Sequence, residues 1–353
     1  MTRKPKGYYY SQAGPNHCWI CGHSLEARHY VRIGKPPPLV REKQEWEQMW
    51  KERRQSRKTE KRVFAIDMSA SELSRAFRVP GRWNTLFRMI LERPGQPYKL
   101  SGIGDMVGAR VSCLLLVPPD SEMAYIGAPA YKKNKYITVS PMRHPLARWR
   151  RKREKEEEEN IVKGYAVHSR CWTLLERQLG SERMQHLDLV IAALKEYWKT
   201  GRRPNLYSTA MCPCYDPVHI PVVDKMMRTS VKTTGSSIGF AYLSTQFGLP
   251  LEIKYMVIEY LDVVSVRNML WAFNEVLPAS YWLAMMPTDL LFEIRDKEDA
   301  APGTVNWASI AVLVIHRKVL EKWQVSLQLK NRQRIFHILQ EVERNLTTDT
   351  SKT

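Results

Sequence analysis

The clearest periodic pattern in the chain lies between Leu249 and Leu261. Apolar side chains recur there at Ile253, Met256, Val257, Tyr260 and Leu261, three or four residues apart, as on one stripe of an α-helix. Pro250 suits the first turn of that helix, where the N–H it lacks would be unpaired in any case. Asp262 breaks the stripe at a turn. Val266, Met269, Leu270 and Phe273 carry a second amphipathic stretch, and Leu277-Pro278-Ala279-Ser280-Tyr281-Trp282 opens a third. The helical period then holds to about Arg344. Earlier, helical patterns cover Ser69 to Leu91, with Ser69 or Ser71 as cap, His168 to Gly180, ended by the glycine, and Glu182 to Lys199. Val111 to Val117 reads as a strand.

These elements predict a mainly α chain with minor β structure in its middle third, an α+β class. Three regions follow: residues 1–200 with charged inserts, a linker over 201–248, and a helical region over 249–346. The linker is marked by Pro204, Pro213, Pro217, Pro221 and Gly235-Ser236-Ser237. The inserts are residues 39–62 and 146–160. Both are rich in charge and poor in apolar side chains, so solvated segments are expected. No internal repeat of fixed period is present.

Composition adds a bias in partners. The 353 residues hold 55 Lys and Arg against 36 Asp and Glu, a formal charge of +19. Such an excess bears on association rather than fold, and makes nucleic acid or an acidic protein a candidate partner. The basic blocks Arg53 to Arg62 and Arg148 to Lys155 would supply phosphate contacts. No apolar run is long enough to span a membrane, and the basic start lacks the apolar core of a secretory signal. The expectation is an intracellular protein, of nucleus or cytoplasm, with its thiols reduced.

The six cysteines are therefore read as core residues or metal ligands. Cys18-Trp19-Ile20-Cys21-Gly22 has the spacing of a zinc knuckle, in which two thiolates meet one metal at a tight bend. His168 and Cys171, three apart at a helix start, share a face and would supply the other half. Cys18, Cys21, His168 and Cys171 thus predict a closed structural zinc site. The bland reading makes Cys171 and Trp172 core residues and His168 a helix-start residue. Competing ligands are Cys212 and Cys214 with His219, or His17 and His23 beside the knuckle. Cys113, in an apolar run, reads as a buried small hydrophobe.

Signs of catalysis are weak. Gly102-Ile103-Gly104 lacks the third glycine of a phosphate loop and reads as a turn. His144 and His186 stand without a nucleophile beside them, and no enzyme is expected.

Residues 249–286 resemble an F-box. The resemblance rests on Leu249-Pro250, Glu252-Ile253, Tyr260-Leu261, Val266-Arg267-Asn268, Ala272-Phe273, Leu277-Pro278, Tyr281-Trp282 and Pro287-Thr288-Asp289-Leu290. Fungal F-box-like proteins are similar also in an N-terminal Cys-x-x-Cys, an internal His-x-x-Cys-Trp and a late Asn-Arg-x-Arg-Ile. Here these are Cys18 to Cys21, His168 to Trp172 and Asn331 to Ile335. The resemblance implies a substrate adaptor of a cullin-type ubiquitin ligase, docking on a small Skp-type adaptor and recruiting an unknown substrate protein. It implies that Leu249, Pro250, Ile253, Val257 and Leu261 lie at the adaptor face. The alternatives are that these helices are interior layers of a larger domain, or that the chain is a basic, zinc-stabilised nucleic-acid-binding protein.

Overall fold

The computed structural model describes residues 16–25, 66–76, 83–106, 115–126, 135–145, 162–200, 216–230, 241–242, 250–273, 275–300, 304–316 and 323–350. They fall into two units, Met1–Val218 with Arg334–Thr353, and His219–Gln333. Both charged blocks, Cys113, Cys212, Cys214 and Leu249 lie outside the described residues.

In the first unit, strand β1 (Ile66–Ser69) runs directly into helix α1 (Ala70–Ala76). Ser69 makes the junction. Its hydroxyl accepts from the Glu72 N–H at 3.1 Å, and the Glu72 carboxylate accepts from the Ser69 N–H at 2.9 Å, the reciprocal pair of a capping box. The helix expected over Ser69 to Leu91 is described as far as Ala76. Directly after a 3-10 turn at Trp83–Thr85, β2 (Leu86–Glu92) is a strand instead. Leu86, Phe87, Met89, Ile90 and Leu91 are all buried, and a strand covered on both faces loses the alternation that would separate it from a helix.

Strands β3 (Lys99–Leu100), β4 (Gly104–Asp105), β5 (Leu115–Val117), β6 (Met123–Ile126), β7 (Ile137–Pro141) and β8 (Val162–His168) complete the unit's β structure. Six strands make one sheet in the order β3-β2-β8-β7-β5, with β4 also on β2, and β1 pairs with β6. The β7–β8 pair is parallel; β2 and β8 are antiparallel, with Phe87 opposite His168. Gly102 to Gly104, expected as a turn, is extended: Ile103 bridges Ala124 and Gly104 pairs with Phe87. A Cβ on Gly102 would lie 2.3 Å from the Met123 carbonyl oxygen, so close backbone approach fixes glycine here. Helices α2 (Ser169–Arg183) and α3 (Leu187–Lys199) follow. The chain kinks at Gly180, φ 77°, where the sequence pattern stops.

The second unit is helical: α4 (Pro221–Thr229), α5 (Leu251–Glu259), α6 (Val263–Ala272), α7 (Ala279–Ala284), α8 (Phe292–Ala300) and α9 (Trp307–Ala311). Two short strands, β9 (Ala241–Tyr242) and β10 (Glu275–Val276), pair in parallel. Asp262 caps α6, accepting from the Val264 and Ser265 N–H groups at 2.9 and 3.0 Å. The core gathers Ile258, Val263, Val266, Leu270, Trp282, Ile294 and Trp307. Within 201–248, read as a linker, α4 contributes Val223, Met226 and Met227 to this core.

Helix α10 (Trp323–Thr350) is the last element. Its residues from Arg334 onward belong to the first unit, where Ile335, Ile338, Leu339 and Val342 are buried at the spacing of one helix face. Among the described residues, no helix is long and apolar enough to cross a membrane.

Candidate metal centre

The bend at Cys18–Gly22 is built by local bonds. The Cys18 N–H donates to the His23 carbonyl and the Gly22 N–H to the Cys18 carbonyl, each at 2.8 Å. Gly22 has φ 73°, a left-handed conformation that glycine adopts without strain. The Cys21 and His168 N–H groups donate to the Cys18 Sγ at 3.5 and 3.3 Å. Those bonds fix the Cys18 sulfur between the bend and the end of β8.

The bend is also fastened to the rest of the unit. The Trp19 N–H donates to the Ala166 carbonyl of β8 at 2.9 Å. Trp198 Nε1 donates to the Trp19 carbonyl at 2.6 Å, and His144 packs edge-on against both indoles. His168 is the last residue of β8 and Cys171 stands in the first turn of α2, so the strand-to-helix junction delivers both to the bend.

Cys18, Cys21, His168 and Cys171 come together with their ligand atoms all within 4.8 Å of one another. Each is fully buried. His168 Nδ1 lies 3.3 Å from the Cys21 Sγ and 3.8 Å from the Cys171 Sγ. A tetrahedral ion with bonds of about 2.0–2.3 Å needs ligand separations of roughly 3.5–3.8 Å, so a small inward adjustment would complete a four-coordinate site. The four residues form a buried cluster suited to a metal ion.

Electrostatics explain why the cluster favours a cation. Burial pushes the His168 imidazole down, but the negative charges of Cys18 and Cys21 overcome it and raise the group to about 10. Burial likewise opposes ionisation of Cys21, yet hydrogen bonds from Cys171 and Cys18 and the His168 charge hold its thiol well below the ordinary range. Burial, with hydrogen bonds to Cys18 and Cys21, pushes Cys171 well up. A metal ion would replace the protons on these groups, so its affinity must rise with pH.

Of the competing ligands, Cys212 and Cys214 lie outside the described residues. His17 and His23 are not members of the group that forms among the described residues. Burial lowers His23 to about 3, and His219 bonds Asp224 at 2.8 Å.

Of the residues assigned to a partner face, Pro250, Ile253 and Val257 belong to α5 and its cap. Pro250 is its exposed N-cap. Ile253 and Val257 are 41% and 44% exposed, with Met256 and Tyr260 at 54% and 88%. Leu261 instead packs, partly buried, against the core. Trp271 on α6, 76% exposed, was not marked by the sequence pattern, which gives no sign of which face turns outward. No family model, curated protein or solved structure matches the chain.

Proposed function

We propose that this chain is a zinc-stabilised, F-box-like interaction protein whose second unit docks on a Skp-type adaptor through the outer face of α5. The observation that carries the reading is the outward stripe of Ile253, Met256, Val257 and Tyr260. Their i, i+3, i+4, i+7 spacing is that of a helix laid into an apolar groove. Apolar side chains grouped on one exposed face mark partner surfaces, whereas scattered ones do not. Of the four described residues that the F-box resemblance assigns to the adaptor, Ile253 and Val257 lie on this face and Pro250 starts the helix.

Zinc is the metal the donor set fits. Three soft thiolates and one imidazole suit a closed tetrahedral site and leave no open position for a substrate. When bound, the ion would cross-link the Cys18–Gly22 bend to the junction of β8 and α2. That role is structural and leaves recognition to other surfaces.

Hydrogen exchange on the full chain, with and without purified Skp-type adaptor, tests the reading. Added protection confined to residues 251–260 is the expected result. No protection anywhere, or protection only outside the second unit, contradicts it.

A further inference from the structure

The late Asn331-Arg332-Gln333-Arg334-Ile335 segment has no part in the docking face, yet three of these side chains are buried polar groups. Arg332 has a clear structural task in the second unit: its guanidinium grips both carboxylate oxygens of Glu293 at 2.6 and 2.8 Å. Arg334 belongs to the first unit and is only 6% exposed. Its Nη1 donates to the Cys21 carbonyl at 2.9 Å, across 313 positions of sequence. The backbone it fastens is the bend that carries half of the metal cluster.

Charge gives this bond a second meaning. A divalent ion with three thiolates and a neutral imidazole leaves one net negative charge, here among ligands with no solvent exposure. An uncompensated buried charge is costly. Arg170, adjacent to Cys171, is engaged by the Asp216 carboxylate at 3.1 Å.

We propose that Arg334 is a positioning residue for the metal centre, which fixes the Cys18–Gly22 bend through the Cys21 carbonyl and supplies the buried positive charge that offsets the loaded site. The inference rests on the zinc reading above. It gives the C-terminal helix a direct part in metal retention, and it couples the last motif of the chain to the first.

Zinc affinity of the full chain, measured by chelator competition, tests this on Arg334→Gln and Arg334→Lys. Partners that orient metal ligands from outside the ligand shell typically change affinity by about 10–100-fold, and that loss is expected for Arg334→Gln. Arg334→Lys keeps the charge and should recover most of it. If Arg334→Gln folds only when zinc is present, the free zinc at half-folding reads the same affinity. Failure to fold at any zinc concentration overturns the proposal, because the role would then be one in the fold itself. Equal stability losses with and without zinc, at unchanged affinity, also overturn it, as does equal weakening in both variants. Absence of zinc binding by the unmodified chain removes the metal reading, whereas tight binding by both the chain and Arg334→Gln removes only this inference.

Discussion

Both units bury charged side chains, but they differ in what those groups do and in where large apolar side chains go. The first unit draws chemistry inward: His144, His168, Arg170, Asp105 and three cysteines are buried within it. The second unit pushes apolar surface outward. Of the eight large hydrophobic side chains found exposed among the described residues, Met123 and Leu189 belong to the first unit. The other six, Ile253, Met256, Val257, Tyr260, Trp271 and Met285, belong to the smaller second one. Buried polar groups that converge hold a structure together, while exposed apolar groups on one helix wait for a surface. On the proposed reading, the converging groups of the first unit hold that unit together, and the exposed stripe of the second meets a partner.

Removing the metal ligands should have the largest effect and should fall on one unit. Cys21→Ser, or a strong chelator on the unmodified chain, is expected to cost the first unit more than about 5 kcal/mol, since metal binding at a site not preformed in the unfolded state is folding energy. Calorimetry should then show the first unit's transition collapse while the second unit's stays near its original temperature. Loss of both together would break the contrast. Next in size is the buried pair of the second unit, Lys254 and Glu275, at 3.0 Å with side chains 8% and 3% exposed. Lys254→Met leaves the carboxylate buried and uncompensated, at an expected loss of roughly 3–5 kcal/mol. Denaturant unfolding of the zinc-loaded protein measures it, and zinc affinity should not move.

A smaller effect comes from acid. Burial, with the neighbouring His17 charge, lowers His144 to about 3. The unfolded chain takes up that proton below about 6.5 while the folded chain does not, so stability is full above that pH and is lost progressively down to the folded value. The fall from pH 7 to pH 5 should be about 2 kcal/mol from this group. His144→Phe is expected to flatten the first unit's stability against pH over that range, and an unchanged slope would remove His144 as the cause.

What the sequence made legible was what neighbouring residues decide. Ser69 with Glu72, Asp262 before α6, and the Cys18–Gly22 bend each depend on contacts within a few positions, and the pattern marks them. The run Leu86–Leu91 failed because a doubly covered strand and a buried helix look alike in apolar pattern. The orientation of α5 was hidden for a related reason. Apolar residues surround this helix, and its inward face carries Lys254, which pattern reading would turn to solvent. The distant Glu275 pairs with it there. The bond from Arg334 to Cys21 was invisible because nothing local announces a partner at the other end of the chain. For the metal cluster, spacing proposed the two halves, and the strand-to-helix junction at His168 supplied the meeting.

The central claim is that the outer face of α5 is a docking surface and not part of a core. It is tested most directly by measuring adaptor binding and melting together on the Ile253→Glu/Val257→Glu double variant and the unmodified chain. The substituted side chains already meet solvent, so stability should change by no more than about 1 kcal/mol. Binding to the purified Skp-type adaptor should fall by at least about a hundredfold, as expected when central apolar anchors are lost. Binding by the unmodified chain that survives the double substitution, absence of binding by the unmodified chain, or unfolding of the variant would each contradict the account.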